Sequence, residues 1–382
     1  RTLRGTAKEQ PMSKEEAIAR VVDGRAWTDF CRALEAAGQT ILREGTPATA
    51  LDRAEGIRYL TRLLRAGLDA NLEHGDPRFP GFHQLSNETI KIGNDNPDNI
   101  YWNCKISGQY EYKLRGQRGT VPYVSLCTKG GGYEKDGTMT PHGQLDGRDL
   151  KVEPDGSFEI ALSCEPRPGN WLPMKPDTNQ LLIRITFGDR AQETPTTFQI
   201  ERVGGSGVPQ IDPASLEETL QRVTGFVRGT SNLFVDWMTG PYAKHVNQLP
   251  SDDQLRCQRA GGDAQIHYLQ SHWRLAEDEA LWIRPTRIPE CAFWNFQLSN
   301  FWMESLDYRY ARIHTNKVIA HYEPDGSVRI VVAHRDPGPR FQNWLSTCGH
   351  TSGGMLFRWV EAQEFPPVET RVVKLSELNK LP

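Results

Sequence analysis

The chain reads as mainly β, two tandem β-sandwich units preceded by a helical N-terminal segment and joined by an inter-domain helix. Three observations predict this. Apolar residues recur at helical spacing only over 13–75 and from Asp212 to about Val246. From His83 onward the remaining sequence is short alternating runs parted by Gly, Pro, Asn and Asp, the texture of strands and turns. One pentapeptide, Glu153-Pro154-Asp155-Gly156-Ser157, returns letter for letter as Glu323-Pro324-Asp325-Gly326-Ser327.

In chain order, residues 1–12 are polar at the start and lack the apolar core of a secretory signal. They read as a disordered or appended stretch, because Met12-Ser13 resembles a natural beginning. Ser13-Lys14-Glu15-Glu16 is a helix start with acidic residues in its first turn. Trp27, Phe30, Leu34 and Ala37 then mark one apolar helix face, and Ile57, Leu60, Leu63, Leu64 and Leu68 mark another. Cys31, within the first of these runs, is expected in the core. The helical segment spans 13–80 and a first β unit 81–205. Gly204-Gly205-Ser206-Gly207 marks a flexible boundary, and a helical linker follows over 206–262. Within it Asp212-Pro213 supplies a cap with proline in the first turn, and Leu216, Leu220, Val223, Val227 and Leu233 an apolar face. A second β unit fills 263–382.

The repeat is wider than the pentapeptide. Each copy leads into a short strand, Phe158–Leu162 and Val328–Val332, then into Asn170-Trp171-Leu172 and Asn343-Trp344-Leu345. An apolar strand closing on arginine follows in both, at Arg184 and Arg358. Pro-Asp-Gly is turn material. The Trp of Asn-Trp-Leu is expected between sheets, where a large ring gains most from burial, and the arginine is expected to meet a buried carboxylate. Tyr101-Trp102-Asn103 aligns by eye with Phe293-Trp294-Asn295. That pairing leaves 51 positions from Trp102 to the pentapeptide against 29 from Trp294. The excess predicts an insertion within 116–147, around Lys129-Gly130-Gly131-Gly132-Tyr133, acting as a mobile flap.

Composition narrows the function classes. With 382 residues, 37% hydrophobic, 24% charged and net charge -3, the chain has no clustered basic surface for nucleic acid. It has no run of about 18 apolar residues to cross a bilayer, so neither nucleic acid nor membrane is an expected partner. Seven cysteines without a Cys-x-x-Cys pair suit reduced thiols and a cytoplasmic location. Cys104 and Cys127, in or beside strands, are expected as buried thiols. Metal-binding spacing, a Gly-x-Ser-x-Gly nucleophile turn and a dinucleotide fingerprint are all missing. Neither metal nor cofactor is therefore expected.

Three segments concentrate polar and aromatic groups. Between His83 and Trp102, Asp95 and Tyr101 stand in excellent turn sequence. Between Asn300 and Asn316 come Trp302, Glu304, Asp307, Tyr308 and His314, a set suited to stacking a ring and accepting hydroxyl protons. Between Gln265 and Arg274 are His267 and His272, five apart and so on opposite faces of a strand. The candidate catalytic residues are His83, Asp95, Tyr101, His267, His272, Glu304, Asp307 and His314. The candidate substrate contacts are Trp102, Tyr133, Trp294, Asn295, Trp302 and Tyr308.

Phe293-Trp294-Asn295, the Asp325-Gly326-Ser327 strand, Asn343-Trp344-Leu345, the Arg358 strand and Pro366-Pro367 resemble the bacterial domain of unknown function 1214. Gly93-Asn94-Asp95-Asn96-Pro97-Asp98-Asn99-Ile100-Tyr101 is similar to the signature of its usual companion, domain of unknown function 1254. The resemblance implies a tandem of jelly-roll-like and sandwich-like β domains, and no particular reaction.

The expected function is a cofactor-independent lyase or hydrolase acting on a small ring-containing metabolite, whether aromatic, terpenoid or glycosidic. Its pocket would lie between the two β units, since interfaces of this kind are common ligand sites. The alternative is a non-catalytic carbohydrate or small-molecule binding protein. A small-molecule substrate is the expected partner, and a homo-oligomer is compatible with the sequence.

Overall fold

The computed structural model describes residues 12–135 and 137–381, so residues 1–11 of the stretch expected to be disordered or appended lie outside the described residues. Three helices come first, α1 (Lys14–Val22), α2 (Arg25–Gly38) and α3 (Ala50–Leu68). The first unit holds β1 (Asn99–Lys105), β2 (Tyr112–Gln117), β3 (Tyr123–Gly132), β4 (Thr138–Asp146), β5 (Ser157–Ser163), β6 (Asn170–Pro173), β7 (Gln180–Thr186) and β8 (Thr197–Arg202). Two helices, α4 (Pro213–Thr239) and α5 (Gln254–Arg259), lead to the second unit. It holds β9 (Ile266–Arg274), β10 (Glu279–Pro285), β11 (Phe293–Leu298), β12 (His314–Asn316), β13 (Ile330–Ala333), β14 (Trp344–Ser346), β15 (Ser352–Val360) and β16 (Val368–Lys374).

Each unit is a sandwich of two four-stranded sheets, and the two follow one plan. The first has orders β1-β7-β3-β4 and β6-β5-β2-β8; the second has β9-β15-β11-β12 and β14-β13-β10-β16. Every strand of one unit thus maps onto the strand eight places later. The β5–β6 and β13–β14 pairs are parallel and the other strand pairs antiparallel.

The repeat motifs act as turn and staple. Gly156 and Gly326 take the positive φ that closes each pentapeptide turn (85° and 79°). Asp155 and Asp325 each accept the amide two residues on, both at 2.9 Å. Asn170 Nδ2 donates to the Lys151 and Glu159 carbonyls, and Asn343 Nδ2 to those of His321 and Arg329. These partners are themselves equivalent positions. In both Asn-Trp-Leu motifs the leucine, not the tryptophan, fills the core. Leu172 and Leu345 are fully buried while Trp171 and Trp344 are half-buried at the strand edge, where each indole N–H meets a local oxygen.

Topology corrects the alignment of the strands before the pentapeptide. Tyr101-Trp102-Asn103 lies on β1 and Phe293-Trp294-Asn295 on β11, which is the counterpart of β3. Register settles the true pairs, because Tyr101 faces Arg184 as Tyr268 faces Arg358, and Ser125 faces Arg184 as Asn295 faces Arg358. With Tyr123 matched to Phe293, each copy reaches its pentapeptide after the same 30 residues, and the expected insertion disappears. Lys129 to Gly132 complete β3, and Tyr133 is buried at the β3–β4 hairpin, so the glycines belong to a paired hairpin and not to a flap.

Both central strands are covered on both faces. In β7, Leu181, Ile183 and Ile185 enter the core of their own sandwich; in β15, Met355, Phe357 and Trp359 do the same. The alternate residues, Leu182 and Arg184 or Leu356 and Arg358, face a space shared by the two units. The helices close that space on one side. Caps from Ser13, Thr49 and Asp212 start α1, α3 and α4, and Arg20 ties α1 to Glu217 of α4. Cys31 and Trp27 are exposed on α2, which buries Ala26, Phe30 and Ala37 instead; Ile57 is likewise exposed on α3. Cys104 and Cys127 are buried.

Helix α3 meets the second unit through the buried Trp302, whose ring stacks on Tyr59 and whose indole donates to the Asp52 carbonyl. Gly56 makes this approach possible, since a Cβ there would lie 2.7 Å from the Trp302 ring. Alanine ordinarily favours a helix over glycine by about 1 kcal/mol. Gly56→Ala is expected to destabilise the protein by about 1–3 kcal/mol despite that gain, as read from urea unfolding; a stabilised variant would mean this contact is looser than described.

Candidate functional site between the two units

The shared space is built from equivalent residues meeting about a pseudo-twofold relation. Arg184 of β7 donates to the Gly261 carbonyl that leads into the second unit, and Arg358 of β15 donates to the Asn94 carbonyl that leads into the first (2.6 Å). Asn94 and Gly261 precede β1 and β9 by the same number of residues, and both have left-handed backbone, φ 58° and 100°. That conformation suits glycine and, among side-chain residues, asparagine. A Cβ at Gly261 would also sit 2.4 Å from the Met139 methyl, so the close passage requires glycine twice over.

Two tyrosines complete the frame. The Tyr101 hydroxyl accepts the Asn96 amide at 2.8 Å, and the Tyr268 hydroxyl accepts the Asp263 amide at 2.9 Å, each donor five residues before its acceptor. Both hydroxyl protons are left for another partner. Burial pushes the pKa of both phenols up; at Tyr101 the nearby Arg358 and Arg184 offset part of that rise. Both phenols are therefore neutral donors at ordinary pH.

Arg184, Arg358, Tyr101, Tyr268, Asn103 and Gln270 line a cavity of about 140 Å³. Its apolar wall comes from Tyr133, Met139, Leu182 and Leu356, with Phe234 and Trp237 contributed by α4. Phe234 stands edge-on to both Tyr133 and Trp237, with ring centroids 5.9 and 5.8 Å apart. A smaller recess of about 30 Å³ shares Leu85, Asn103, Tyr133 and Met139 with the cavity and runs to Lys105, His83 and Glu134. Burial lowers the Lys105 pKa. The arrangement presents hydrogen-bond donors and positive charge from a mixed aromatic and aliphatic surface.

Of the sequence-derived candidates, Asp95, Tyr101 and Tyr133 line this cavity. Asp95 is committed elsewhere, its carboxylate accepting both the Ser305 amide (2.9 Å) and hydroxyl (2.8 Å); burial raises its pKa. Asn295 sits just behind, between Arg358, Asn96 and Asp98. Asp98 in turn meets His314 at 3.1 Å. His83 reaches only the recess, where it stacks on His74, and burial brings its pKa to about 4.

The other candidates lie apart. His267 stacks on Phe365 beside a surface groove, and His272 is buried on β9. Trp294 packs inside the second sandwich, and Trp302 under α3. Glu304 is buried against Arg62 and Asn300. Asp307 pairs with Arg309, Tyr308 lies beneath the Lys91 ammonium, and Trp102 packs on Phe82. Among the described residues no group of three or more His, Cys, Asp or Glu could hold a metal ion. No described helix is long and apolar enough to cross a membrane. Sequence reasoning assigned Arg184 and Arg358 to structural pairing and passed over Tyr268, Gln270, Phe234 and Trp237. The signal for Tyr268 was present, as Tyr-x-Asn and Tyr-x-Gln on equivalent strands.

Fold and cavity define a duplicated β-sandwich protein with a small cavity where its two units and a helical layer meet. The chain belongs to the family described as "Protein of unknown function (DUF1214)", whose profile matches residues 103–187 and again 275–364, once in each unit. The similarity of residues 93–101 to the companion domain 1254 rests on that segment alone. A crystal structure of an uncharacterized protein from Burkholderia cenocepacia is 49% identical, with a TM-score of 0.92 over 94% of this chain and 100% of that one. The VPA0106 protein from Vibrio parahaemolyticus is 11% identical, with a TM-score of 0.47 over 83% of this chain and 98% of that one. No curated protein matches the chain.

His272 supplies a pH test. It is 6% exposed, its Nε2 has no hydrogen-bond partner, and burial brings its pKa from 6.5 to about 4. Because the folded value is depressed, the neutral ring contributes stability fully above pH 6.5 and loses it as pH falls toward 4. Between those values the wild type is expected to lose on the order of 2–3 kcal/mol more than His272→Gln. Urea unfolding at several pH values checks this, and parallel losses in the two proteins would contradict it.

Proposed function

We propose that the protein binds a small ring-containing metabolite in the cavity between its two units. One observation carries this reading: two buried arginines and two tyrosine hydroxyls with unspent protons converge on a cavity of about 140 Å³ walled by Tyr133, Phe234 and Trp237. A space that combines flat apolar walls with a few fixed polar groups is what ligand sites require. Ring faces would stack on the aromatic side, and the donors would orient ring substituents.

A second reading, catalysis, has its own support. Two anchored phenols stand where the acid half of a cofactor-independent lyase would need a proton, although burial raises their pKa and makes them weak acids. Hydrolysis has less support, because no histidine lines the cavity among the described residues and Asp95 spends both oxygens on Ser305. Seven free thiols favour a reducing, cytoplasmic setting, and the Burkholderia relative favours a bacterial one.

The test is a thermal-shift screen of aromatic, terpenoid and glycosidic metabolites, with mass spectrometry of every compound that stabilises the protein. Compounds recovered intact are expected under the binding reading, and chemically altered ones would move the assignment to the lyase. Tyr101→Phe and Tyr268→Phe are each expected to weaken a hit roughly fivefold to tenfold, the worth of one hydrogen bond. Unchanged affinity in both variants would place the ligand elsewhere.

A further inference from the structure

The two half-sites are copies, yet they differ in charge at one equivalent pair, Asn96 in the first unit and Asp263 in the second. Each residue gives its backbone amide to a tyrosine hydroxyl. Each side chain also accepts from an equivalent strand position, Asn96 Oδ1 from Asn295 Nδ2 and Asp263 Oδ2 from the Ser125 hydroxyl. The consequence falls on the arginines. Arg184 has the Asp263 carboxylate 3.5 Å away, so its buried charge is matched within the protein.

Arg358 has no such match. Its acceptors are all neutral: Gln297 Oε1 at 2.5 Å, Asn94 O at 2.6 Å and Asn295 Oδ1 at 3.3 Å. These occupy three of the five N–H groups a guanidinium carries. Asp95, the carboxylate whose pKa Arg358 influences, also faces Lys91 and has both oxygens on Ser305. Arg358 is only 5% exposed, and a buried charge without a counter-charge is costly. An anion entering the cavity would supply that counter-charge at Arg358, while at Arg184 it would meet Asp263.

We infer that the ligand carries one anionic group, a carboxylate, docked on Arg358, and that the Asn96/Asp263 difference fixes its orientation. This rests on the cavity being the binding site. The ring then lies toward Phe234, Trp237 and Tyr133. One duplicated scaffold thus holds an open arginine and a neutralised one, and a molecule with a charged and a neutral end has a single favoured direction.

Benzoate and its neutral isostere benzamide, titrated into the full chain by calorimetry, test the inference. The wild type is expected to bind benzoate roughly tenfold to hundredfold more tightly, the worth of a charge-assisted hydrogen bond. Asn96→Asp keeps the oxygen that accepts from Asn295 and Asp98, and is expected to erase the preference. A thermal melt of the variant reports its folding. A crystal of the wild type with 4-iodobenzoate gives a reading independent of any variant, the carboxylate on Arg358 and the iodine remote from it. Equal binding of benzoate and benzamide, a preference that survives in folded Asn96→Asp, or a carboxylate seated on Arg184 overturns the inference and leaves the cavity reading standing. Failure of both probes to bind at all overturns both the inference and the cavity reading.

Discussion

Each unit pushes a guanidinium out of the middle of its inner sheet, into a face that the other unit covers. Arg184 and Arg358 are therefore only 6% and 5% exposed, and a buried cation costs several kcal/mol unless hydrogen bonds meet it. The remedy is reciprocal: each arginine is met by a backbone carbonyl of the other unit, Gly261 for Arg184 and Asn94 for Arg358. To aim those carbonyls inward the chain must take left-handed backbone at both positions. The same two loops then set the amides of Asn96 and Asp263 against the tyrosine hydroxyls. Loop conformation, mutual placement of the units and orientation of the phenols all follow from meeting two buried charges.

Duplication explains why the polar groups arrive in pairs, and the helical layer explains why the cavity is not symmetric. Phe234 and Trp237 belong to α4, whereas α3, which precedes the first unit as α4 precedes the second, lends the cavity no residue among the described residues. Gly93 allows the layer to come close, since a Cβ there would stand 2.5 Å from Phe234. The paired strands therefore supply similar hydrogen-bonding groups from two sides, while one apolar wall comes from a single helix. A ligand enclosed this way meets a directional environment although most of its polar contacts are duplicated.

Local chemistry made much of the fold legible in sequence. Pro-Asp-Gly-Ser dictates its own turn, and in both copies the aspartate accepts the serine amide at the same length. Ser13 and Asp212-Pro213 start helices because a free side-chain oxygen meets an otherwise unpaired amide. Register across strands was not legible. Tyr-Trp-Asn and Phe-Trp-Asn look alike because any inner strand of a sandwich favours aromatic residues, so their likeness marks a strand type and not a place. Asn-Trp-Leu misled in a similar way, since burial depth depends on which sheet edge the triplet joins. On α2, Cys31 was misplaced because its helix buries small residues and one ring, leaving Trp27 outside.

The site was the least legible part, for a physical reason. Sequence reading looks for titratable groups gathered in loops, and here carboxylates are answered by neighbouring arginines: Glu304 by Arg62 and Asp307 by Arg309. Such pairs hold the scaffold, and their charges are already answered. What remains unanswered sits in the strands, where arginine in an apolar run looks like a structural exception. Only the sheet order shows that Arg184 and Arg358 are equivalent, and only their partners show that they are unequal, one with Asp263 beside it and one with neutral oxygens alone. In a duplicated protein the informative positions are those where the copies keep the geometry and change the charge. The shared frame gives both half-sites the same hydrogen-bonding plan, whereas the one added negative charge at Asp263 alters what the enclosed space attracts.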